Sequence, residues 1–319
     1  MSNRNKDEIV HDHNHDGINR RGFLKCMAWA GTGALCVMQG GVLRSYSLSR
    51  TGEIPEHARG DLSFVQISDS HMGFSKPANP DVTATFQVAI DKINSLQNAP
   101  EFMLHTGDVS HLSKPEEFDK VQQMLKSART KDVFYVPGEH DILDEGKGFT
   151  ERFGKPGQPG WHSFEKKGVH FIGLVNVLNL KPGGMGALGN EQLEWLRKDV
   201  QHLSKSTPIV VFAHIPLWSV YPDWGWGTDD SAQALSFLKG FGSVTVLNGH
   251  IHQTMQKVEG NVTFHTAAST AFPQPKPGQA AGPGPMKVPD EQLRSVLGIT
   301  DVSQVHGRHA LAVLDSTLG

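Results

Sequence analysis

From residue 61 onward, short apolar runs alternate with longer segments of helical periodicity, a rhythm that predicts a layered α/β protein. The run at 62–67 is rich in β-branched and aromatic residues and reads as a strand. A helix is expected over 81–96, where Val82, Phe86, Ala89, Ile90 and Ile93 recur at helical spacing. A strand at 102–104 and a helix at 115–128 follow, the helix opening with Pro115 and two acidic residues that suit a first turn. Further strands are expected at 133–136, 169–175, 208–213, 243–247, 255–258 and 262–266, with a helix at 191–203. Near the end, the pattern predicts a short helix at 291–297 and a strand at 310–314. Residues 273–285, rich in Pro, Gly, Gln and Ala, read as an irregular connector. No internal repeat interrupts this pattern, so residues 60–319 are expected to form one domain with a carboxy-terminal extension.

The strand ends carry the chemistry. The first runs into Asp69-Ser70-His71, the second into Gly107-Asp108, and the third into Gly138-Glu139-His140-Asp141. Later runs end at Ala213-His214 and at Gly249-His250-Ile251-His252. Open α/β sheets gather such residues in a crevice beyond their strand ends, so carboxylates and imidazoles are expected to converge there. The chain has 17 histidines, and several stand beside Asp, Gly or another His, which points to metal chemistry. His105, His111, His162, His170 and His265 lack such a setting and are read as ordinary structural histidines. A net charge of -3 supplies no positive field for nucleic acid or an anionic membrane. The aromatic loop from Trp218 to Trp226 fits either a pocket wall or a packed surface loop.

The first fifty residues differ in character. A polar segment with His11, His13 and His15 precedes Arg20 and Arg21, and a weakly apolar run follows from Cys26 to Met38. This order resembles a twin-arginine export signal. It implies the export machinery as a partner and an exported or periplasmic location, with residues 1–50 as signal and leader. The alternative is an uncleaved anchor reaching Leu43. The two cysteines, Cys26 and Cys36, both fall in this segment, so disulfides and thiolate ligands are not expected in the mature domain. The bulky Leu35 argues against lipid attachment at Cys36.

In order, the strand-end motifs closely resemble those of the calcineurin-like metallophosphoesterases, DxH, GD, GNH[DE], H and GHxH, over residues 62–272. The resemblance implies a four-layer α/β/β/α sandwich of two mixed sheets flanked by helices, with a metal site at the strand ends. It implies two divalent or mixed-valence ions of Mn, Fe or Zn, one held by Asp69, His71 and His252 and the other by Glu139, His214 and His250, with Asp108 bridging. A hydroxide shared by the ions would attack a phosphoester in line. His140 would stabilise the transition state or protonate the leaving oxygen, and Asp141 would orient His140. The implied substrate is a small-molecule, lipid or cell-envelope phosphoester, and a diester is favoured over a monoester because the sequence shows no Arg or Lys cluster to meet a dianionic terminal phosphate. One position departs from the pattern: Glu139 stands where the family has Asn, which adds a third carboxylate and lowers the positive charge offered to phosphate. A binding scaffold without turnover and a two-metal hydrolase of non-phosphate esters or amides are the competing readings.

Overall fold

The computed structural model describes residues 59–130, 132–154, 159–305 and 311–319, together with the backbone of 34–39 and 42–47. The His11–His15 segment, the arginine pair and the residues that would form a signal or anchor largely lie outside these. Within that region, strands β1 (Ala34–Gln39) and β2 (Val42–Ser47) pair antiparallel. The chain divides into two compact units, residues 1–62 with 302–314 and residues 63–301 with 315–319. Every candidate site residue lies in the second unit.

Strand β3 (Arg59–Ile67) leads to helix α1 (Val82–Ser95), β4 (Phe102–His105), α2 (Pro115–Leu125) and β5 (Val133–Tyr135). β3, β4 and β5 pair in parallel, with Phe64 opposite Phe102 and Leu104 opposite Phe134. Alternation along β3 divides its side chains between two faces. Val65 and Ile67 pack with Met103 against Phe86, Ile90 and Ile93 of α1 and Phe118 and Val121 of α2. Phe64 points the other way.

Helix α3 (Lys147–Phe153), β6 (His162–Lys166), β7 (Val169–Gly173), α4 (Asn190–Val200) and β8 (Ile209–Phe212) follow. The chain continues through α5 (Ser231–Leu238), β9 (Val244–Asn248), β10 (Met255–Glu259) and β11 (Val262–Thr266). It ends with α6 (Leu293–Val296), β12 (Gly298–Val305) and β13 (Leu311–Thr317). One sheet has the order β10-β11-β9-β8-β7-β6, its two outer pairs antiparallel and its inner pairs parallel. The other has the order β13-β12-β3-β4-β5. In β8 the alternation repeats: Ile209 and Val211 pack on Leu193 and Leu196 of α4 and Ala234 and Leu238 of α5.

The inner faces of the two sheets meet in an aromatic seam. Phe64 stacks on Phe102 at 5.0 Å and meets Phe171 edge-on at 5.4 Å, while Phe134 stacks on Phe164 at 3.8 Å. Such pairs add about 0.5–1.5 kcal/mol each beyond the area they bury. Helices outside, sheets inside and this seam between them make the four-layer sandwich of two mixed sheets that the motifs implied. The predicted helices and strands are found within a few residues of their expected ends, and residues 273–285 are irregular. β6, α3, α5 and β12 were not anticipated. Each is short, or lacks the long apolar periodicity that made the others readable.

Candidate metal centre

The loops that leave β3 and β4 run side by side and continue the ladder beyond the strands. Asp69 N donates to Gly107 O at 3.0 Å, His71 N to Asp108 O at 2.9 Å, and Met72 N to Val109 O at 3.0 Å. These bonds hold an unusual backbone. Asp69, His71, Asp108, His250 and His252 all have φ between 40° and 69°, and among the described residues they are five of the eight non-glycines with positive φ. Each such residue costs on the order of 1–3 kcal/mol and persists only where its surroundings fix it. The strain is therefore concentrated at the residues the motifs singled out.

Glycines let these loops close on one another. Gly138 has an ordinary extended backbone, but a Cβ there would sit 2.0 Å from Asp108 Oδ1. A Cβ on Gly249 would meet Ser68 Oγ at 2.0 Å and Asp69 Oδ2 at 2.6 Å. Here glycine provides space more than torsional freedom.

The structure brings all seven predicted ligands together. Asp69, His71 and His252 form one group whose ligand atoms lie within 4.8 Å of one another, and Glu139, His214 and His250 form a second. His252 Nε2 is 3.3 Å from Asp69 Oδ1, and Glu139 reaches both its histidines at once, Oε2 2.9 Å from His214 Nε2 and Oε1 3.0 Å from His250 Nδ1. Asp108 lies between the groups: its Oδ2 is 3.4 Å from His71 Nε2 and 3.5 Å from His214 Nε2, while its Oδ1 accepts from His140 N at 2.9 Å.

Imidazole orientation is set from behind. His214 Nδ1 donates to Thr106 O at 2.7 Å and His252 Nδ1 to Phe272 O at 2.6 Å, so each turns Nε2 toward the centre. Buried Asn248 braces the same loops, donating to Ala213 O and Ile215 O while accepting from Leu217 N.

The donor set fits metal cations. Glu139 Oε2 and His214 Nε2 are buried and, among the described residues, have no hydrogen-bond partner, although they lie 2.9 Å apart. That near-contact belongs to a set of three carboxylates and four imidazoles gathered at one place, the donor types that hold divalent cations. Protonation states agree. Burial, with His252, His140 and His111 nearby, holds the His71 imidazole well below its ordinary range. Burial opposes ionisation of Glu139, but His250 and His214 hold its carboxyl well below the usual value. Burial likewise opposes charge on His214, yet Asp108 and Glu139 raise it well above normal, so an incoming cation must displace its proton.

His140 sits beside the cluster, its ring 4.8 Å from that of His71, and burial is outweighed by Asp108 and Glu139, which raise its basicity. Its Nδ1 donates to His111 O at 2.8 Å. Asp141 does not orient this ring, contrary to the sequence reading. Its buried carboxylate accepts from Gly138 N at 3.0 Å, Val109 N at 3.0 Å, and Ser110 N and Oγ at 2.8 and 2.9 Å. Asp141 ties the Asp108 loop to the Glu139 loop, because amides already present saturate it. The aromatic loop also resolves: Trp218 packs against Phe264 at 5.0 Å with the rings tilted by 54°, and Trp226 is fully buried, so two of its rings are core. His252 also lines a cavity of about 380 Å³, together with Gln253, Gln274, Lys276, Met286 and Asp315 among others.

Sequence reasoning missed the carbonyls of Thr106 and Phe272, which leave no side-chain signature. Asn248 and His111 did have a signal, since both are polar residues within three positions of a motif.

The sequence profile of the calcineurin-like phosphoesterases matches residues 62–254. A 3',5'-cyclic-nucleotide phosphodiesterase of Nostoc is 25% identical over 66% of this chain and 79% of its own length. A glycerophosphodiester phosphodiesterase of Arcobacter nitrofigilis, itself named as probable, is 26% identical over 48% of this chain and 57% of its own length. Among solved structures, a dimetal phosphatase from Danio rerio superposes with a TM-score of 0.59 at 14% identity, covering 81% of this chain and 99% of that one.

Proposed function

Because the chain belongs to the calcineurin-like phosphoesterase family and is a metallophosphoesterase, we propose that it cleaves phosphodiesters at a centre of two metal ions. The observation that carries this reading is the pair of ligand groups, Asp69-His71-His252 and Glu139-His214-His250, joined by Asp108 Oδ2. Bound there, two such ions neutralise phosphate charge and make a water acidic enough to act as a nucleophile near neutral pH. The protein's own residues do the rest. Asp108 spans the two groups, and His140 N fixes its other oxygen. The His140 ring, held by His111 O and made basic by Asp108 and Glu139, is placed to meet negative charge on the phosphoryl oxygens or to give a proton to the departing oxygen.

The preference for a diester rests on charge. Asp69, Asp108 and Glu139 bring three carboxylates to the centre, which weakens its pull on a dianionic monoester more than on a monoanionic diester. The relatives named as cyclic-nucleotide and glycerophosphodiester phosphodiesterases support the same preference. The cavity beside His252 offers room for the part of a small-molecule substrate that does not react.

The test is elemental analysis of the purified chain with assays on bis-p-nitrophenyl phosphate and p-nitrophenyl phosphate before and after dialysis against a chelator. About two ions per chain, a faster diester reaction, and loss on chelation reversed by Mn²⁺ or Zn²⁺ are expected. Full metal content with no phosphoester cleavage at all would replace this reading with the scaffold. An exported location belongs to the same proposal and rests on Arg20, Arg21 and the run to Met38. Replacing both arginines with lysine should retain the chain in the cytoplasmic fraction; unchanged export would remove that part. Among the described residues, no helix is long and apolar enough to cross a membrane.

A further inference from the structure

His71 and His140 both touch a third histidine that the ligand set leaves out. His111 follows Asp108 by three positions, on a loop pinned by the buried Glu117, whose Oε2 accepts from His111 N at 3.1 Å and Leu112 N at 2.7 Å. The half-buried His111 ring stacks on that of His140 at 4.8 Å and 17°, and meets Phe74 edge-on at 5.1 Å. Its Nδ1 lies 3.4 Å from His71 Nδ1 in hydrogen-bonding alignment. His71 Nε2 faces inward, 3.2 Å from His252 Nε2 and 3.4 Å from Asp108 Oδ2. His252 Nδ1 donates to Phe272 O, so in a neutral ring its Nε2 is the accepting nitrogen.

Two proton arrangements satisfy this chain of imidazoles. In one, His111 Nδ1–H donates to His71 Nδ1, and His71 Nε2–H donates to His252 Nε2, which fills the gap with a proton. In the other, His71 Nδ1–H donates to His111 Nδ1, His111 carries its own proton on Nε2, and the His71 and His252 lone pairs both face the centre. Both hold the same number of protons. A carbonyl partner would permit only the second, because it can only accept.

We propose that His111 is the positioning residue of His71: it accepts the His71 Nδ1 proton when an ion is bound and donates in its place when none is. The buried nitrogen pair thus stays satisfied in either state, and the ion meets a correctly oriented His71 without a change in the charge of the pair. By its stacking, His111 holds the His140 ring against the same group. This inference rests on the reading of Asp69, His71 and His252 as an ion site.

The test is Co²⁺ titration of the full chain after chelator treatment, in wild type, His111→Phe and His111→Gln. Phe retains the ring stack but cannot accept a hydrogen bond, so one of the two ions should bind about 10–100-fold more weakly while the other is unchanged. Gln offers an accepting oxygen and should restore most of the loss. A His111→Phe chain that binds both ions as wild type does would overturn the proposal. Independently of any variant, ¹⁵N imidazole spectra of Zn²⁺-loaded wild type should show His71 protonated at Nδ1 and His111 at Nε2, and the reverse after zinc removal. A loaded His71 with its proton on Nε2 would also overturn it. Wild type that binds no Co²⁺ removes the metal-centre reading itself, an outcome distinct from either of these.

Discussion

Replacing Gly138 with Ala sets two effects of opposite sign against each other. The Gly138 backbone, φ -97° and ψ -179°, suits any residue, so chain entropy alone predicts that Ala stabilises by about 0.4–1 kcal/mol. Sterics predict the reverse. The new Cβ would lie 2.0 Å from Asp108 Oδ1 and 2.5 Å from Asp108 N, against an ordinary contact of at least 3.4 Å. Neither atom is the free end of a flexible side chain, since Oδ1 is held by His140 N and the Asp108 backbone carries the His71 bond. The loops must therefore part by more than about 1 Å, at an overpacking cost on the order of 1–3 kcal/mol. A displacement of that size at a group spanning both ligand sets is expected to lower kcat/KM by about 100-fold. Urea unfolding in chelator separates stability from metal binding, and bis-p-nitrophenyl phosphate reads activity. Gly242→Ala is the control, because its Cβ would meet nothing nearer than Lys205 O at 3.7 Å, and it should leave activity unchanged. A Gly138→Ala chain as stable and as active as Gly242→Ala would refute the close approach of the two loops.

Three further outcomes are expected. His140→Ala should lower kcat by about 10²–10⁴-fold with metal content intact, measured by saturation kinetics beside elemental analysis, since His140 is placed for proton transfer and lies in neither predicted ligand set. Glu139→Asn should raise the rate on p-nitrophenyl phosphate relative to the diester, because one negative charge leaves the centre; an unchanged ratio with unchanged metals would contradict the charge reading. Away from the site, His170 bonds Glu165 at 2.5 Å and Asp199 at 2.7 Å, and these carboxylates overcome burial to raise its basicity. A raised folded value means stability that is full below the unfolded value of about 6.5 and lost as pH rises through the folded one. The Tm deficit of His170→Gln should therefore be wide at about pH 6 and narrow at about pH 9, and a deficit that widens with pH would reverse the assignment.

The layered fold was legible because each long element repeats one clear period. α1 buries Val82, Phe86, Ala89, Ile90 and Ile93, the same residues that its spacing marked, and β8 and β9 are apolar runs covered on both faces. The hairpin partner β6 was not legible: apart from Phe164 its residues from His162 to Lys166 are polar, none is fully buried, and the strand is paired only on one side, so neither period nor composition distinguishes it from a loop. At the site, the seven candidate ligands were legible as types, since carboxylates and imidazoles gathered at strand ends, three of them directly after a glycine, have few structural uses.

What held those ligands in place was hidden, because it is made of backbone. Thr106 O and Phe272 O choose which nitrogen of His214 and His252 faces inward, and any residue at those positions supplies the same carbonyl. The left-handed conformations of Asp69, His71, Asp108, His250 and His252 were hidden for a related reason: a sequence announces positive φ through glycine, and here the strain falls on the side chains the chemistry requires. The misreading of Asp141 has the same origin. Its position beside His140 suggested a carboxylate–imidazole pair, yet three backbone amides and the Ser110 hydroxyl reach it first. Adjacency in sequence identified a residue that matters to the site, while the hydrogen-bond demand of two converging loops decided what it does.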